Sequence, residues 1–186
     1  MSSPHTTTTG DDHLPPSPST IKTAADITPQ TIHQVPPLTK HDIDRILLLK
    51  NVDPHIWTPI IPSLIDWTCD ANWPCAQIIF ELLTSHPVII EAAIPHVSAI
   101  LRQTTDRPEG GRPRAGEEGE GGGFRDIGHQ HELFRYFVCA VGGGFQRRME
   151  GVLRGFREGI TDEVEREWGV REDLDEVIRG IEKVGE

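Results

Sequence analysis

After Pro37 the apolar positions fall at helical spacing, and the same arrangement of apolar and polar residues comes round twice. Ile43, Ile46 and Leu47 predict a first helix over about 40–51, opened by Thr39 with Asp42 three residues on, a capping box with Asp for Glu. Ile60, Ile61, Leu64, Ile65 and Thr68 predict a second over about 59–69. Pro54 and Pro59 read as helix-start prolines, Thr58 is the expected N-cap before Pro59, and Pro62 sits in the first turn, where a missing N–H costs little. A third starts after Asn72 as cap and Pro74 in the first turn. It carries Cys75, Ile78, Ile79, Leu82 and Leu83, and ends at His86-Pro87. A fourth covers about 88–103 through Ile90, Ala93, Ile94, Val97, Ile100 and Leu101, with Pro95 either kinking it or setting its start near Glu91.

Laid over itself at an offset of 33 residues, this half of the chain matches Pro54 with Pro87 and Pro62 with Pro95. The same shift aligns Ile46 with Ile79, Leu49 with Leu82, Ile56 with Ile89 and Ile61 with Ile94. Periods of this size mark stacked helix pairs.

Farther on, Leu133, Phe134, Tyr136, Phe137, Val138 and Val141 predict a fifth helix beginning near His129 and stopped by Gly142-Gly143-Gly144. Phe145, Met149, Val152, Leu153 and Phe156 carry a sixth, and Thr161 caps a short turn through Trp168. The last, about 171–184, is amphipathic, with Leu174, Val177, Ile178, Ile181 and Val184 on one side. Nothing reads as a strand. The expected fold is all-α: three antiparallel helix pairs in a short HEAT-like stack, closed by a C-terminal capping helix.

Composition sets the limits of the domain. Residues 1–36 are rich in Thr, Ser, Pro and His, too poor in apolar surface to offset the entropy of ordering, and are expected to be a disordered tail. Within it, only Ile21 and the Ile27–Val35 stretch suggest a short docking turn. The domain is expected over 37–185, interrupted by a flexible insertion at 106–123 that is rich in Gly and Glu. A net charge of −11 disfavours a nucleic acid partner. No apolar run approaches the roughly 20 residues that span a bilayer, and Met1 to Asp12 lacks a signal-peptide core. Cys69, Cys75 and Cys139 are an odd set without C-x-x-C spacing, which suggests free thiols in the cytoplasm or the nucleus.

Several short segments occur in a telling order: Lys40-His41-Asp42, then Asn72-Trp73-Pro74-Cys75-Ala76, then Ile94-Pro95-His96, then Phe134-Arg135-Tyr136-Phe137. This series resembles an uncharacterised family, domain of unknown function 5071, in K-H-D, N-W-P-x-A, I-P-H and a later aromatic–basic segment. The resemblance covers about 37–145 and departs from the family in the insertion and the long N-terminal stretch. It implies a compact helical, HEAT-like domain, and it implies no activity.

If equivalent helix starts share a rim, Lys40, His41 and Asp42 lie beside Asp70, Asn72 and Trp73. That gathers a cation, an imidazole, two carboxylates, an amide and an indole, with two helix N-termini offering N–H groups to an anion. The functional reading is a binding rim for a peptide or protein. In the structural reading Asp42 and Asn72 cap helices, Trp73 is core, and Lys40 and His41 are solvated; it is the commoner outcome at helix starts. The competing class is a small hydrolase or transferase with His41 as base and Asp42 or Asp70 as its orienting group. It lacks a nucleophile motif, and neighbouring helix residues point about a hundred degrees apart. His129 and His131 with a cysteine make a poor metal set, and no metal or other cofactor is expected. Arg147, Arg148, Arg154 and Arg157 read as a solvated face or as pairs with the acidic 162–176 segment. The sequence thus favours a non-catalytic protein- or peptide-binding module.

Overall fold

The computed structural model describes residues 21–103 and 126–183, and every regular element among them is helical. The first hairpin is short and broken by its prolines. Helix α1, Asp44–Leu48, runs on into a 3₁₀ turn, Leu49–Asn51. At the corner the Asp53 carboxylate accepts from the His55 N–H at 2.9 Å, and Pro54 opens α2, Pro54–Trp57. Pro59 falls in a 3₁₀ turn, Thr58–Ile60, and Pro62 in the first turn of α3, Ile61–Asp66. The second helix therefore begins at Pro54, not Pro59. It is cut into pieces because each proline lacks the N–H that would continue the ladder. Thr58 does not cap: its hydroxyl donates back to the His55 carbonyl at 3.2 Å. The second hairpin is longer and cleaner, with α4 over Pro74–Leu83 and α5 over Pro87–Leu101. Pro95 stays inside α5, exposed, without ending it.

The two hairpins correspond as the sequence suggests. Pro54 and Pro87 are both first helical residues. Ile46 and Ile79, Leu49 and Leu82, and Leu64 and Val97 are buried at equivalent places. Helix α4 packs on α1, and α5 on α2 and α3, so equivalent helices face one another. What is established is the all-α class, with no strand among the described residues. Nor is any single helix among them long and apolar enough to cross a membrane.

The domain starts earlier than composition suggests. Ile21, Ile27, Ile32 and Val35 are all buried, Val35 completely. They are held by 3₁₀ turns at Ala24–Asp26 and Ile32–Gln34, the second of which packs on the Thr58–Ile60 turn. Arg45 ties this segment to α1 by donating to the Gln34 carbonyl at 2.8 Å. Four scattered aliphatics cannot build a core of their own, but they can dock on one already made by α1–α5. Residues 1–20 and the whole 106–123 stretch lie outside the described residues.

Helix α6, Ile127–Leu133, continues without a break into a π-helical turn, Phe134–Val138. Gln130 of α6 donates to the Ile100 and Gln103 carbonyls at 2.8 and 2.9 Å, satisfying acceptors at the C-terminal end of α5. The three glycines both end this helix and begin the next, since α7 covers Gly143–Arg148. Helices α8, Glu150–Glu158, and α9, Asp162–Trp168, follow, and α10, Val170–Lys183, closes the bundle against α7 and α8. Of these helices, α6 and α8 pack on α5, and the turn that follows α6 packs on α4. Three of the four arginines singled out in this half are engaged within the chain: Arg148 with Glu91, Arg154 with Glu150 and Glu182, Arg157 with Asp175.

Candidate functional site

The starts of the two hairpins do meet. The Lys40 carbonyl accepts from the Cys75 N–H at 3.2 Å, so the loop before α1 rests on the first turn of α4. Each side chain of the rim then has its own disposition. The Asp42 carboxylate accepts from the Leu38 N–H at 3.2 Å and pairs with Arg45, which holds its carboxyl below the usual range. It thus ties down the loop and does not cap α1, whose first residue is Asp44; the capping box does not form. Asp70 Oδ1 accepts from both the backbone and the side-chain amide of Asn72, at 2.9 and 3.1 Å. Asn72 is spent on that turn, and the cap position of α4 is Trp73, with no side-chain cap. Trp73 is half-buried and lies against Trp67, ring centroids 5.7 Å apart. Lys40, His41 and Asn72 are exposed, Asp42 and Asp70 half-buried.

This geometry narrows the chemistry. Pro74 has no N–H, that of Cys75 goes to Lys40, and those of Ala76 and Gln77 go to the Trp73 carbonyl. The expected free N–H groups for an anion at the start of α4 are therefore already used. Asp42 and Asp70 are likewise committed to Arg45 and Asn72, not to His41. Burial pushes the Cys69 and Cys75 thiols above their ordinary pKa, so neither is a ready nucleophile near neutral pH. A cleft of about 310 Å³ lies at the opposite end of α4, between the equivalent corners at Val52 and Ser85, and none of the six rim residues lines it. Among the described residues no three His, Cys, Asp or Glu side chains converge as a metal would need.

Two residues at the rim escaped the sequence reading. Leu38 is 76% exposed, beside a buried Pro37, and only its place outside every helical stripe could have marked it. Glu132 of α6 comes near Asp70 with one carboxylate oxygen enclosed and unpartnered, and burial raises its pKa. Nothing in the sequence flags that approach, because it depends on how α6 docks.

Residues 35–108 match the model of a family described as a domain of unknown function (DUF5071). The matched residues hold both hairpins and the rim, with the Lys40-His41-Asp42, Asn72–Ala76 and Ile94-Pro95-His96 segments; the Phe134–Phe137 segment lies beyond them. No curated protein and no solved structure matches the chain.

Proposed function

Taking residues 35–108 as a helical domain of that family, we propose that the protein is a non-catalytic module that binds a protein or peptide at the rim formed by Leu38, Lys40, His41 and Asn72. One observation carries this reading: an exposed leucine stands beside an exposed cation and imidazole on a loop pinned at two points. Leu38 is pinned through Asp42, and Lys40 through the Cys75 N–H. An apolar side chain offered from a rigid backbone gives up little entropy on contact. The partner that fits is an extended peptide with an aliphatic side chain for Leu38 and an acidic one for Lys40 and His41. Asp70 and Trp73 form the floor that holds Asn72 in place. Because both carboxylates are otherwise engaged, the rim is a poor base–acid pair, which weighs against the hydrolase or transferase reading. Three free cysteines suit a reducing compartment, the cytoplasm or nucleus.

The test is selection of random peptides displayed on phage against the full chain. Enriched sequences should pair an aliphatic with Asp or Glu, and a Leu38→Asp, Lys40→Glu variant of unchanged melting temperature should bind them at least about tenfold more weakly. No enrichment, or equal binding by the variant, would rule the rim out.

A further inference from the structure

We propose that α6 is an acid-released joint: protonation of His129 and His131 detaches it from α3 on one side and from α9 on the other. Residues two apart on a helix point about 200° apart, so these two rings serve opposite faces of one short helix. Both are nine-tenths buried.

On the α3 side, His129 Nε2 lies 3.1 Å from Thr68 Oγ1 and 3.2 Å from the Ile65 carbonyl. Thr68 donates its own hydroxyl proton to that carbonyl at 2.6 Å, which leaves both oxygens as acceptors for an Nε2–H. The neutral Nε2–H tautomer thus satisfies the contact completely, and a second proton adds only charge. On the α9 side, the His131 ring lies against Trp168, centroids 4.9 Å apart, and its Nδ1 is enclosed without a partner. A proton on that nitrogen would be an N–H sealed away from any acceptor.

The surrounding charges do not reverse this. Burial lowers the His129 value; Asp126 at the head of α6, the bond to the Ile65 carbonyl and Asp66 of α3 all favour a proton, and burial outweighs the three. His131 faces Arg135 one turn on, which opposes a proton, and Asp173 of α10, which favours one; burial again dominates. The Trp168 face would return part of the cost of a charged ring. Each imidazole is therefore held below its ordinary value of about 6.5, and a released one regains it. The released state binds protons more readily, so the joint keeps its full hold above that value and loses it as pH falls toward the depressed ones. No residue of helix α9 is fully buried: Val164 and Trp168 rest part-exposed on the core, Asp162 and Glu165 bond to Arg171, and the helix ends at Gly169 in the left-handed conformation. Ile65 and Thr68 lead directly into the Asp70–Trp73 turn, so release also loosens the rim; that consequence rests on the proposed function, and the joint does not.

Hydrogen exchange of the full chain, corrected for intrinsic rates, tests it. Between about pH 7 and about pH 5.5, protection over 127–138 and 162–168 should fall by up to about tenfold for each histidine, while α5 holds. His129→Gln keeps a donor for Ile65 and His131→Phe keeps the ring on Trp168; together they should remove the pH dependence. Should that pair fail to fold, an imidazole NMR titration of the unaltered protein decides, with His129 and His131 expected to titrate below about 6.5. Protection of α6 that tracks α5 at every pH, or all histidines titrating together, overturns the joint. Release of α6 with selected peptides still bound would support the joint and count against its hold on the rim.

Discussion

Asp42 and Arg45 are the residues on which the rim's backbone depends. The pair is mostly buried, and Arg45 also reaches Gln34, so one guanidinium joins the N-terminal segment, the Leu38 loop and α1. Arg45→Ala is expected to cost about 2–3 kcal/mol, read from the urea midpoint, because it strands a carboxylate and a carbonyl together. Asp42 titrates below an ordinary carboxyl in the folded chain. Its contribution is therefore complete above about pH 4 and is lost as pH falls through the depressed value. Asp42→Asn should flatten that part of the acid-stability curve, and an unchanged curve would show the pair to be inert. Trp73, with one face on Trp67 and part of its ring in solvent, should lose about 2 kcal/mol on truncation to alanine, less than the 3–5 of a fully buried indole. Residue types at the rim were legible from helix starts alone. Their hydrogen bonds were not, because Asp42 and Asn72 choose between a helix end and a nearby loop at similar local cost.

At the scale of elements, the positions of the helices follow from prolines and caps, and their lengths do not. Pro54 and Pro87 open helices wherever the chain allows. Pro59 and Pro62 break α2–α3 while Pro95 leaves α5 intact, and α5 buries Ile89, Ile90, Ala93, Ile94 and Val97 in one stretch. Pro95 is exposed there, so its only local effect is a missing N–H and a crowded carbonyl. Pro95→Ala is expected to raise stability by about 1 kcal/mol or more by thermal melting; a loss would mean that α5 needs a bend at that turn. Gly169 is the one positive-φ glycine among the described residues, at +62°, and a methyl group there would meet open space. Gly169→Ala should cost about 1 kcal/mol through backbone conformation alone.

For the whole molecule, the core runs from Ile21 to Ile181, across segments that composition would keep apart. A chain beginning at residue 37 loses Ile21, Ile27, Ile32 and Val35, each worth about 1.5–3 kcal/mol as an upper estimate. Such a chain should melt far below the full protein or not fold, whereas a melting temperature unchanged by the deletion would mean that this segment docks without contributing.

The sequence by itself determined the all-helical class, the twofold recurrence of a helical hairpin and the nearness of the two hairpin starts. Those features are written in spacing, which depends on neighbours a few residues away. Tertiary structure alone decided that the first aliphatics join the core, that Leu38 stays in solvent, and that α6 buries one histidine on each side. Burial depends on surfaces supplied from distant parts of the chain, and no local pattern records where those surfaces will be.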